Sequence, residues 1–156
     1  MLWHYTVMRN LHRILADNEL RPLQIAGKKH IKPVVWFTTH PDWEAINNPF
    51  MANPEVNNPF APHQEARRGR LTKDQTIVLH GGLARIGVAD DVAGLTWKDY
   101  KEQSGILPKE AKLIYDEAVS LNVRPGEWLA TFDIVPREKW LAIEIWNDIA
   151  WVSKAP

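Results

Sequence analysis

The chain has 156 residues, enough for one domain with a real core. Its 19 Lys plus Arg balance 19 Asp plus Glu, so long-range electrostatics favours neither nucleic acid nor an anionic membrane as partner. No cysteine is present, which excludes thiolate catalysis, disulfides and cysteine-ligated zinc.

No apolar run approaches the roughly 20 residues that cross a bilayer. His4, Arg9, His12 and Arg13 interrupt the N-terminus where a secretory signal would be apolar. The expected setting is the cytoplasm. Eight tryptophans stand out; most belong in the core, with a minority facing a ligand.

Leu2-Trp3-His4-Tyr5-Thr6 reads as a short apolar strand that ends in polar groups. Thr6 is placed to cap a helix with Leu11, Ile14 and Leu15 on its apolar side, ended by Asp17-Asn18. Leu20 to Leu23 continues in extended form past Pro22, and Gly27-Lys28-Lys29-His30 is a basic turn. Pro33 to Thr39 is a second apolar strand carrying Trp36, Thr38 and Thr39. After it, Pro41 with Asp42 and Glu44 reads as a helix start.

Residues 47–70 change character: Asn47-Asn48-Pro49-Phe50 recurs as Asn57-Asn58-Pro59-Phe60. A loop of this length is expected to be a lid over a cleft or a surface insertion. Arg67-Arg68-Gly69-Arg70 at its end is a solvated charge run or a phosphate contact. Thr76 to His80 and Leu83 to Val88 flank Gly81-Gly82 and read as a hairpin. Arg85 then lies mid-strand, where it needs a carboxylate or a pocket.

Thr96 caps a helix from Trp97 to Ser104, Gly105 stops it, and Pro108 starts another to about Leu121. In the latter, Leu113, Ile114, Val119 and Leu121 form the expected apolar side. Strands follow at Trp128 to Ile134, Trp140 to Trp146 and Ile149 to Val152, with a turn at Pro136 to Lys139. Two acids sit on these strands: Glu144, in an interior, is the first candidate, and Glu127, at a start beside Pro125-Gly126 and so more exposed by position, is the second. Glu144 shares its face with Ala142 and Trp146. Toward solvent it is a surface residue; toward a cleft it suits a developing cation or a ribose hydroxyl.

The histidines at 4, 12, 30, 40, 63 and 80 form no ligand pair at helical spacing, so no metal site is expected. No G-x-S-x-G elbow, Walker loop or G-x-G-x-x-G occurs.

Leu2 to Thr6, then Asn10-Leu11-His12-Arg13-Ile14-Leu15 and Leu20-Arg21-Pro22, resembles the opening of ADP-ribosyltransferase-like proteins, including DarT-type enzymes. Val35 to Thr39 with Trp43-Glu44 resembles their second-strand motif. The resemblance covers roughly the first 45 residues and implies a single α+β domain. Its expected core is a split, mainly antiparallel sheet with flanking helices, holding NAD+ between two half-sheets. It further implies that His4 and Thr6 hold the ribose and nicotinamide end and that Trp36 or Tyr5 packs on the nicotinamide. Thr38, Thr39 and Arg85 are further candidates for cofactor contacts. A Glu, either Glu144 or Glu127, would stabilise the oxocarbenium-like transition state. The implied activity is transfer of ADP-ribose from NAD+ to a protein or nucleic acid, as a toxin or phage effector. The alternatives are a non-catalytic nucleotide or protein binder of the same fold, and an RNA 2′-phosphotransferase relative.

Overall fold

The computed structural model describes residues 1–25, 27–47, 50–52 and 68–154. The lid expected over 47–70 falls largely outside the described residues. The protein is an α+β fold built on a seven-stranded sheet whose paired neighbours all run antiparallel. In chain order its strands are β1 (Leu2–Val7), β3 (Val35–Thr38), β6 (Leu83–Val88), β7 (Leu95–Thr96), β8 (Trp128–Thr131), β10 (Trp140–Trp146) and β11 (Trp151–Ser153). Across the sheet the order is β11-β10-β6-β1-β3-β8-β7. Two short ribbons stand apart. One pairs β2 (Glu19–Leu20) with β9 (Val135–Pro136); the other pairs β4 (Phe50–Ala52) with β5 (Arg68–Arg70).

Register sorts the side chains, because directly paired residues point to the same side of a sheet. Leu2, Ala84, Ile86, Val88 and Ile143 share one face with Val35 and Phe37. That face is buried against Leu11 of helix α1 (Met8–Asp17). Trp3, Tyr5, Trp36, Thr38 and Trp128 occupy the other face. There Trp36 and Trp128 pack with Trp97 and Tyr100 of α3 (Trp97–Gln103) and with Ala111 and Ala118 of α4 (Pro108–Ser120). Helix α1 thus covers one face of the sheet, and α3 and α4 cover part of the other.

β1 pairs β6 along six positions, from Leu2↔Val88 to Val7↔Leu83, but its register with β3 is the one pair Trp3↔Thr38. The sheet therefore has a seam between β1 and β3. Beyond the pair, the carbonyl of Trp36 accepts a hydrogen bond from His4 Nδ1 at 2.9 Å.

Several expected elements take another form. Thr6 caps nothing: β1 continues to Val7, which holds the cap position without a side-chain bond. The strand runs on because Val7 still pairs with Leu83, and the helix then opens with Met8 N–H donating to Gly82 O. The segment after β3 is no helix but a loop ending in a 3-10 turn, Ala45–Asn47. Its His40 and Pro41 carbonyls, which a helix would use internally, are taken by Tyr5 Oη and Arg85 Nη1.

Residues 73–80 form helix α2 (Lys73–His80), not the first arm of a hairpin. Thr72 and Gln75 make a reciprocal capping box at its start. Gly81, at φ 76°, closes it in the left-handed conformation; the same backbone freedom that suits a hairpin turn suits a helix C-terminus. β8 stops at Thr131, whose hydroxyl accepts from Asp133 N–H and turns the chain, leaving Ile134 exposed. On α4, Ala111 and Ala118 are buried and Ile114 packs partly against the aromatic cluster, while Leu113 and Val119 lie on the exposed side.

Candidate functional site

A hollow of about 300 Å³ lies along the seam. Trp3, His4 and Tyr5 of β1 form one wall and Trp36, Phe37 and Thr38 of β3 the other, with Trp128 behind them. Glu44, Ile46 and Asn47 line it from the loop after β3, and Arg70, Ile114 and Glu117 from β5 and α4. Its size is at the lower bound for a small-molecule pocket, and its mostly aromatic lining with a few polar groups is typical of one. Arg70 fixes one side: Nε and Nη2 donate to Glu117 at 2.6 and 3.0 Å, and Nη1 to Ile46 O at 2.8 Å. Arg67 of the same basic run lies outside the described residues.

His4 and Thr6 point away from Tyr5, by strand alternation. They share a second hollow of about 290 Å³ with Asn10, Arg13 and Arg21, so His4 is a wall of both. A carbonyl can only accept, so the bond to Trp36 O places the proton on His4 Nδ1 and leaves Nε2 a bare acceptor. Burial lowers the His4 pKa, with the Trp36 carbonyl opposing it. The ring is therefore neutral near pH 7.

Tyr5, Arg85 and Glu144 are consecutive partners across β1, β6 and β10. Glu144 accepts from Arg85 Nε at 2.6 Å and Nη2 at 2.5 Å. The guanidinium is also flanked by the rings of Trp3 and Trp151, at 3.8 and 4.5 Å. Trp3 lies this close to β6 because its partner there is Gly87; a Cβ at that position would stand 2.9 Å from the indole. Arg85 thus finds the carboxylate that a mid-strand charge requires. The same network reaches the loop after β3, since Tyr5 Oη donates to His40 O at 3.0 Å and Arg85 Nη1 donates to Pro41 O. Burial pushes the Tyr5 phenol up to about 12, against the opposing pull of Arg85.

Glu127 stands at the entry to β8, beside Trp128 of the hollow, and its carbonyl accepts from Thr39 N–H at 3.0 Å. Its Oε2 is buried without a hydrogen-bond partner. One ligand atom each of His40, Glu44 and Glu127 lie within 4.8 Å of one another, the group among the described residues that could hold a metal ion. This set is invisible to histidine spacing because the fold, not the local sequence, assembles it. Burial raises the Glu44 pKa; His40 opposes this and Glu127 adds to it.

The candidates therefore separate. His4, Tyr5, Trp36 and Thr38 line the seam hollow, and Thr6 lines the second one. Thr39 is exposed and reaches the site through its backbone. Arg85 and Glu144 are engaged with each other, and Glu127 stands beside Glu44. Trp3, His40, Glu44, Trp128 and Glu117 belong to the site without having been singled out as candidates. For Glu44 a signal existed: an acid directly after Trp43, close behind the second strand. For Trp3 it was the strand alternation with Tyr5.

No helix among the described residues is long and apolar enough to cross a membrane. Compared with family models, with curated proteins and with solved structures, the chain matches none.

Proposed function

We propose that the seam crevice binds NAD+ and that the chain transfers ADP-ribose from it to a protein or nucleic acid target, in the cytoplasm. The observation that carries this reading is the convergence of the two motifs that resemble ADP-ribosyltransferase-like proteins. Trp3-His4-Tyr5 and Trp36-Phe37-Thr38 face each other across one hollow, at a seam where the sheet is joined by one residue pair. The seam also supports the finer reading of the fold as a split sheet. In this proposal the hollow takes the nicotinamide riboside half of the dinucleotide, with Trp36 against the ring. His4 Nε2 accepts a hydrogen bond from a ribose hydroxyl.

Of the two acids, Glu127 is the one assigned to the developing positive charge. An anion helps there only if it is not already neutralised. Glu144 is held by Arg85 at 2.5 Å, whereas Glu127 has a buried oxygen with no hydrogen-bond partner and a loose ion pair of its other oxygen with exposed Arg124, at 3.9 Å.

Calorimetric titration with NAD+, followed by incubation of labelled NAD+ with a cell lysate, tests this. Binding that weakens at least tenfold in Trp36→Ala, with label transfer lost in Glu127→Gln, is the expected result. Binding without transfer would leave the non-catalytic nucleotide binder, and absence of binding would remove both NAD+ readings.

A further inference from the structure

Resting on the NAD+ reading above, we infer that Glu44 is the base that takes the proton from the incoming acceptor, so that two carboxylates divide the chemistry of one crevice. Glu127 faces the carbon that becomes positive; Glu44 faces the nucleophile. The step balances without a further reagent. The C1′–N bond to nicotinamide breaks and its electron pair leaves with neutral nicotinamide. The acceptor's lone pair forms the new bond to C1′, and its proton moves to the Glu44 carboxylate.

Three observations place Glu44 in this role. It lines the seam hollow itself, so a group entering beside the ribose meets it directly. Its loop is fixed from separate directions, by Tyr5 to His40 O, by Arg85 to Pro41 O and by Thr39 N–H to Glu127 O. Such a position is defined, as a base needs. Glu44 also has no ion-pair partner among the described residues. A surface acid with no role would be solvated; this one is partly buried.

An oxygen of Glu127 lies within 4.8 Å of one of Glu44, so both carboxylates stand together at one end of the crevice. His40 serves this role less well because its Nδ1 is engaged by the Asp42 backbone, 3.1 Å from O and 3.2 Å from N.

Azide separates a base from a structural residue. It is an anionic nucleophile and carries no proton to remove, so it replaces a missing base and nothing else. Nicotinamide release from NAD+ is measured for wild type, Glu44→Ala, Glu44→Gln and Glu127→Gln, each with and without azide, and each checked for an unchanged unfolding midpoint. Glu44→Ala is expected to slow release by about 10²–10⁴-fold. Azide restores at least tenfold of that, with ADP-ribosyl azide as product by mass. Glu44→Gln is slowed without equal rescue, because the amide fills the space, and Glu127→Gln is not rescued. A folded Glu44→Ala that matches wild type, or that is slow and unmoved by azide, overturns the inference while leaving the NAD+ reading intact. A wild type that releases no nicotinamide overturns both.

Discussion

Arg85→Met isolates the ion pair in the middle of the sheet. Methionine keeps most of the aliphatic stem between Trp3 and Trp151 and removes the charge, leaving Glu144 unpaired. The Arg85 and Glu144 side chains are 10% and 21% exposed, so neither is free to be fully solvated in place. Removing one partner of a buried pair costs about 3–5 kcal/mol. The residual exposure of Glu144 puts this case at the lower end, about 3 kcal/mol on the same scale. Loss of the guanidinium from two indole faces adds about 1 kcal/mol. The expected total, about 4 kcal/mol, is a large part of the 5–15 kcal/mol that holds a domain together. Glu144→Gln should cost less, about 2 kcal/mol, because its amide oxygen still accepts from Arg85. The double variant removes both charges and strands neither, so it should cost about 4 rather than 6 kcal/mol, a coupling of about 2 kcal/mol. Urea unfolding of the four proteins measures this. An Arg85→Met cost below 1 kcal/mol, or additive single variants, would refute the claim that this pair anchors the loop behind the site.

Two further predictions concern the backbone and the pH response. Gly105→Ala should destabilise by about 2–3 kcal/mol or more, since φ is +84° and a Cβ would stand 2.4 Å from His30 O; an unchanged thermal midpoint would contradict it. His4 has a folded-state pKa below its ordinary 6.5, so the unfolded chain binds the proton more readily. Its contribution is complete above about pH 6.5 and declines as pH falls below that, by at most about 1.4 kcal/mol per pH unit. His4→Gln should flatten the stability profile between pH 6.5 and 5 relative to wild type, and an identical slope in both would contradict a buried neutral ring.

What the sequence made legible was local. Helix α3 follows Thr96, whose side chain forms a capping box with Asp99, and α4 begins at Pro108. β10 spans the residues read as a strand, and Arg85 meets a carboxylate as a mid-strand charge must. The errors arise where a distant partner decides. Thr76 to His80 has strand-like residues but no strand beside it, and the Thr72–Gln75 box with Gly81 makes it a helix. Pro41 looked like a helix start until the carbonyls around it were claimed by Tyr5 and Arg85, both far away in sequence. The same applies to the acids. Pattern ranked Glu144, in a strand interior, above Glu127 beside Pro125-Gly126, and could not see the ion pair across β6 or the buried oxygen without a hydrogen-bond partner, because both are products of the fold. Glu44 joins Glu127 only when β3 pairs β8.

The central claim is that Glu127, which keeps a buried carboxylate oxygen without a hydrogen-bond partner, and not Glu144, neutralised across β6, supports cleavage of NAD+. Its most direct test is the rate of nicotinamide release by wild type, Glu127→Gln and Glu144→Gln, below the unfolding temperature of all three. The account predicts release by wild type, a loss of about 10²–10³-fold in Glu127→Gln, and a Glu144→Gln rate within about tenfold of wild type. Release abolished in Glu144→Gln but untouched in Glu127→Gln would contradict it.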